Sequence, residues 1–236
     1  MSQVFNALEV IGVILQVTLL LFLLPGPFRK FPILLLYSVV QLLTDVAEVT
    51  MRRQFGTGAL PYVRLYWTDE IVLDALLFLM VIVFTYQALE ASPLRAHVGR
   101  FLAAIFVIAV VAPFAVYSHR TFLSTRWFNG IAQWLNFGGA LMNLGLWTAL
   151  LSNKKRDPQL VQVSIGVGLA VTGAALYFGL RQFMTRAGLR PFAELVGVLT
   201  HLLGMFVWCW AFRPAMLRGS AARNSAPPLR LPDTNP

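Results

Sequence analysis

The chain has 236 residues, of which 58% are hydrophobic and only 12% charged, and it carries a formal net charge of +9. A soluble domain carries about 25% charged residues, so a single water-facing core is excluded. The apolar residues fall in blocks of about 20, the length needed to cross ~30 Å of hydrocarbon at 1.5 Å per residue. The expected fold class is therefore all-α, a polytopic membrane bundle of seven transmembrane helices. A β-barrel would show short alternating segments instead. The basic residues sit in short loops between apolar blocks, where they set orientation and meet lipid head groups. No basic face with interleaved aromatics stands outside those blocks, so nucleic acid is not an expected partner. Cys209 is the single cysteine, which rules out an intramolecular disulfide.

The first span is expected over about 4–24. No Lys or Arg precedes it and no small-residue cleavage site follows, so it reads as an uncleaved helix. Pro25-Gly26-Pro27 breaks it. The second runs over about 31–51, with Gln41, Asp45, Glu48 and Arg52 at steps of 4, 3 and 4, one helical stripe. Gly56, Gly58 and Pro61 mark the next turn. The third runs over about 62–89 and opens with Tyr66-Trp67-Thr68-Asp69-Glu70 and then Asp74. Glu70 and Asp74 share a face. Asp69 is turned about 100° from Glu70 and is expected to be interfacial and solvated.

Further spans are expected over about 98–117, kinked at Pro113, and about 128–151, with Asn129, Gln133, Asn136 and Asn143 on one side. The sixth is expected over about 160–183. Its Ser164, Gly168 and Thr172 form a small-residue face that suits close helix approach and, with it, a homo-oligomer. The seventh covers about 191–212 and carries Glu194 and His201. These seven spans make one domain, 1–212. Residues 213–236, rich in Pro, Ser, Ala and Arg, are expected to be a disordered cytoplasmic tail.

Loop charge gives the orientation. With the N-terminus outside and the C-terminus cytoplasmic, the inner segments hold 11 Lys and Arg residues and the outer ones 8. The first helix has none before it and Arg29-Lys30 after it, which favours the same orientation. The location expected is the inner (plasma) membrane.

That topology brings Glu9, Asp45, Glu48, Asp69, Glu70 and Glu194 into the outer half. Asp74 and His201 lie about 15 Å from the outer ends of their helices, near the midplane, and Arg181, Arg52 and Arg53 stand at the mouth. Carboxylates inside a membrane persist only when they face protein or water, and they read as functional candidates. Adjacent carboxylates cannot all ionise cheaply in a low dielectric, so one could carry a proton. The candidate ligand- or ion-binding residues are Glu70, Asp74, Asp45, Glu48, Glu9, Tyr66, Gln133, Asn136, Arg181, Glu194 and His201. The functional reading is an outward-facing polar pocket for a small polar ligand, ion or proton. The structural reading is an internal network in which Arg181 pairs with a carboxylate and the amides fix helix register. Trp67, Trp127, Trp134, Trp208 and Trp210 fit interfacial belts first and a ligand cage second.

No cofactor and no metal are expected, and no catalytic residue stands out. Lys30, Lys154 and Lys155 all lie in loops, so no helix offers a Schiff-base lysine. No GxSxG or Walker sequence is present. An enzyme is the less favoured reading. A sensor or receptor is preferred, with a transporter, a membrane-embedded metal enzyme acting on lipid and an assembly subunit as alternatives.

Phe31-Pro32, Tyr37 and Tyr66-Trp67-x-x-Glu70 resemble motifs of a group of uncharacterised seven-helix membrane proteins from soil bacteria such as acidobacteria. Those have a second helix opening FPxFxxY, a third opening YxYWxxE, and a YE pair near the third helix's end. Here Tyr86-Gln87 stands in that last place. The resemblance implies a helical bundle and adds weight to Tyr66, Trp67 and Glu70.

Overall fold

A computed structural model describes residues 2–90, 95–117, 124–152, 157–183 and 190–224. Among the described residues the chain is helical throughout, with no strand. The helices are α1 (Ser2–Leu23), α2 (Pro32–Phe55), α3 (Leu60–Ala88), α4 (Arg95–Val116), α5 (Thr125–Ser152), α6 (Pro158–Phe183) and α7 (Arg190–Asn224). One turn of 3-10 helix, Pro27–Arg29, links α1 to α2.

The punctuation follows local chemistry. Pro32 and Pro61 lie in the first turns of α2 and α3, where a missing N–H leaves nothing unsatisfied. Gly56 ends α2 with φ of 78°, a conformation that a Cβ disfavours, and its N–H closes on the Arg52 carbonyl at 3.1 Å. α7 continues through Asn224 instead of stopping at Phe212. Met216, Leu217, Arg218 and three alanines in that stretch are good helix formers. The expected tail beyond residue 224 lies outside the described residues.

Six helices, α1 to α4, α6 and α7, are long and apolar enough to cross a membrane. α5 is not among them, because its four amides lower its hydropathy. α3 is the hub and touches α2, α4, α5 and α6. α7 closes the circuit by packing on both α6 and α1, and α4 lies outside, against α3 and α5. α3 is apolar almost all round, as expected of a helix that packs against four others.

One end of the bundle is held by a dry aromatic knot. Phe31, fully buried, meets Phe84 edge-on at 5.8 Å and Phe212 at 5.6 Å, joining the start of α2 to α3 and α7. Lys30 pairs with Asp157 and approaches Gln159 at 3.4 Å, which brings the start of α6 to the same end. The loop after α2 and the starts of α3 and α7 therefore lie at the other end.

α6 and α7 make the tightest helix pair. A Cβ on Gly204 would stand 2.9 Å from the Gly166 carbonyl oxygen, and one on Gly166 would strike the Trp208 indole. That indole donates to the Val163 carbonyl at 2.9 Å. The small-residue face expected for a homo-oligomer is used inside the chain. Ser164 is fully buried, and Gly168 faces Asn143 and Trp147 of α5; only Thr172 is exposed.

Exposure divides the five tryptophans named above. Trp134 and Trp210 are exposed, whereas Trp67, Trp127 and Trp208 are core residues. Trp67 stacks on Phe128 at 6.2 Å and Trp127 meets Phe128 edge-on at 5.0 Å, pinning α3 to α5.

Candidate functional site

Away from the aromatic knot, α2 and α3 face each other with acidic residues. Asp69 and Glu70 lie one turn above Asp74 on α3, and Asp45 and Glu48 lie one turn apart on α2. Asp74 is buried and accepts a 2.7 Å hydrogen bond from Asn136 Nδ2 of α5. The same amide donates to the Ala132 carbonyl at 2.9 Å, so its orientation is fixed from both sides. Burial of a carboxylate in a bundle requires such donors.

Asp69 departs from expectation. It is only 9% exposed, not solvated at an interface. On α2 the Thr44 hydroxyl donates to the Val40 and Gln41 carbonyls of its own helix at 3.1 and 3.0 Å, and Asp45 and Glu48 are close enough to Asp69 to act on it electrostatically. Its Oδ1 is sealed from solvent and has no hydrogen-bond partner. The physical reason is α3's central place: the helix is open along Arg64, Thr68 and Val72, whereas Asp69 falls on a covered face beside α2.

Glu70 is half-buried and within electrostatic reach of Asp69, Asp74, Tyr66 and Arg181. Arg181 does not close an ion pair with it. Its Nη1 donates to the Tyr177 hydroxyl at 2.8 Å, with the guanidinium carbon 5.8 Å from that ring's centre. Arg52 is paired with Glu9 at 3.5 Å on an exposed face. Among the described residues, then, no Lys or Arg nitrogen lies within 4 Å of Asp45, Glu48, Asp69, Glu70 or Asp74. The Arg181–carboxylate pair of the structural reading is absent from the short-range contacts among the described residues.

His201 on α7 meets Gln41 on α2 at 2.7 Å through its Nε2, so it sits in the bundle as a hydrogen-bonded side chain. Gln133 is half-buried, one turn before Asn136. Glu194 is exposed. Tyr66 stacks on Tyr62 at 6.5 Å and borders Glu70 and Glu48. Among the described residues no three of His, Cys, Asp and Glu converge as a metal centre would require.

Two contributors were not singled out from sequence, Thr44 and Tyr177, and Asp69 was placed among the outer acids but not expected to be buried. Tyr177 stands four residues before Arg181, the spacing at which helical side chains meet. That spacing is a readable signal. Thr44 has none, because its neighbour Asp45 defines the polar stripe and a threonine beside it looks incidental.

Compared with known proteins, the chain matches no protein-family model, no curated protein and no solved structure. The site's chemistry has to be read from its own groups. It offers carboxylate and hydroxyl acceptors, a negative balance and aromatic rings. Such a set attracts positive charge and N–H donors.

Proposed function

We propose that the chain is a seven-span protein of the plasma membrane, with its N-terminus outside and its C-terminus in the cytoplasm. On this reading the α2–α3 acidic cluster opens toward the outer side and binds a small polar solute, ion or proton, as a sensor or receptor would. The observation that carries it is the set of five carboxylates with no basic nitrogen within 4 Å among the described residues. A structural network would have closed its charges on the nearby arginines. Arg181 and Arg52 instead serve Tyr177 and Glu9. The loop-charge bias supports the orientation, and α5 supports the seventh span by its length of 28 residues, about 42 Å.

Thermal unfolding of the purified chain, run against a panel of ions and small polar solutes, tests the binding. A saturable rise in melting temperature that is lost in Glu70→Gln supports it, and indifference to every solute rejects it. Orientation is tested separately. In a Cys209→Ser background, a cysteine at Gly58 should react with an impermeant thiol reagent added outside intact cells, and one at Phe28 should not.

A carrier is the second reading, favoured by the buried Asp74–Asn136 pair well inside the bundle. Intramembrane carboxylates of this kind mark solute and proton paths. Liposome flux that is abolished by Asp74→Asn would distinguish the carrier from the sensor.

A further inference from the structure

The outer face of α7 carries one ordered stripe. Leu199, Leu203, Phe206 and Trp210 stand at steps of 4, 3 and 4, each between 47% and 54% exposed, while Met205, Trp208, Cys209 and Phe212 turn inward to the core. Phe206 and Trp210 lie with ring centres 6.4 Å apart. The stripe ends on a charge: the Arg213 guanidinium carbon sits 5.3 Å from the centre of the Trp210 ring. From Leu199 to Trp210 the helix rises about 16 Å, the depth of one leaflet of a ~30 Å hydrocarbon core. Apolar length, indole and guanidinium thus follow one another in the order of a phospholipid's acyl chain, interface and phosphate.

The occupant's chemistry follows from the charged end. Arg213 is exposed, and among the described residues no carboxylate lies within 4 Å of it. Its N–H donors are held over an indole, at the level where such rings settle in a bilayer. A guanidinium there favours a phosphate, which it grips with two parallel hydrogen bonds. Arg29 and Lys30 are exposed at the same end, and Asp157 is committed to Lys30. One ring links Lys30 to the residue before Arg213: the Phe31 ring centre lies 5.4 Å from Lys30 Nζ and 5.6 Å from the Phe212 ring centre. These positive surroundings disfavour a head group that carries its own ammonium. A second copy of the chain fits poorly. Two copies share one orientation in a membrane, so a symmetric contact along this stripe would set one Arg213 beside the other.

We infer that this stripe is a binding site for an anionic phospholipid whose head group carries no ammonium. Its phosphate accepts from Arg213, its glycerol backbone lies beside Trp210, and an acyl chain follows Phe206, Leu203 and Leu199. The site is independent of the acidic cluster and requires only that the chain spans a membrane. It belongs to the leaflet at the Lys30 end, opposite the acids. A lipid held there fixes the depth of α7, the helix whose His201 meets Gln41 of α2.

The test uses the full chain, delipidated in detergent at fixed ionic strength. Melting temperature is followed while phosphatidylglycerol, phosphatidylcholine or inorganic phosphate is added. Phosphatidylglycerol should raise it saturably and more than the other two. Arg213→Gln should weaken that response at least about tenfold in lipid concentration. Arg64→Gln, exposed at the other end on α3, should leave it unchanged, and Arg29→Gln should weaken it less than Arg213→Gln. Tryptophan fluorescence gives a second readout. Phosphatidylglycerol with brominated chains should quench the wild type more than brominated phosphatidylcholine does, and Trp210→Phe should abolish that excess. Should Arg213→Gln not fold, the Trp210→Phe comparison decides. Equal responses to the two lipids, full retention in Arg213→Gln, or an excess of quenching that survives Trp210→Phe each overturns the site. An equal loss in Arg29→Gln also overturns it, in favour of diffuse attraction to the basic end. A matching rise with inorganic phosphate overturns it in favour of a free anion. Disulfide-linked dimers of Leu203→Cys in a Cys209→Ser background, undiminished by phosphatidylglycerol, overturn it in favour of a second copy.

Discussion

Asn136 does two things with one nitrogen. It donates to the Asp74 carboxylate and to the Ala132 carbonyl of its own helix. Replacing it with alanine leaves Asp74 buried without its short donor. The expected loss is about 1–3 kcal/mol, the desolvation cost of an orphaned acceptor, and membrane references pull it toward the lower figure. Reversible unfolding of Asn136→Ala in detergent measures it, and an unchanged midpoint would mean that water reaches Asp74. The pairing was legible in outline: Asp74 and Asn136 both stand in otherwise apolar runs, where a polar side chain must find a partner. Asp69 was not legible. Its helix is apolar in every direction, so no stripe in the sequence distinguishes a water-facing side from a protein-facing one. Burial there is set by which helix comes to lie alongside, and that is decided by long-range packing.

The same contrast recurs between helices. The sequence shows small residues on α6 every four positions, and Ser164 and Gly168 do allow close approach, yet they face inward. The closest approach to α7 runs through Gly166 and Gly173, offset from that face. A Cβ on Gly173 would collide with the Thr200 side chain, whose hydroxyl already donates to the Val196 carbonyl at 2.8 Å. Gly173→Ala should therefore destabilise the pair by about 1–3 kcal/mol through overpacking. Gly173→Ala combined with Thr200→Gly should recover most of it, giving a coupling energy well outside additivity. Additive losses would show that the two helices are free to slide apart. Helix limits were more readable than helix partners, because prolines and Gly56 act locally, whereas partners depend on which of several small-residue faces wins. The motif residues Phe31 and Tyr37 show the same thing. Phe31 anchors the aromatic knot and Tyr37 meets Trp208 at 5.8 Å, so their visible pattern reports packing and says little about ligand.

At the scale of the molecule the two ends of the bundle are built from opposite materials. The Lys30 end is aromatic and closed, with its ion pair bridging α6 to the chain before α2. The Asp69 end gathers acids from α2 and α3, and among the described residues no Lys or Arg nitrogen lies within 4 Å of them. A bundle optimised only for stability would not place like charges together in a low dielectric, where their repulsion is poorly screened. The dry end must therefore support the strained one, as functional sites commonly require of the structure around them. This fixes the sign of a charge-removal experiment. Glu70→Gln keeps the side chain's size and hydrogen-bonding capacity and removes one of the clustered charges. In the absence of solute it should unfold at the same or a higher temperature than wild type, by up to about 2 kcal/mol. Had Glu70 been half of a buried ion pair with Arg181, the same change would lower stability by about 3–5 kcal/mol. The two outcomes differ in sign, so one thermal or denaturant titration of wild type beside Glu70→Gln separates them. A fall of the larger size would turn the cluster from a site held open into a scaffold.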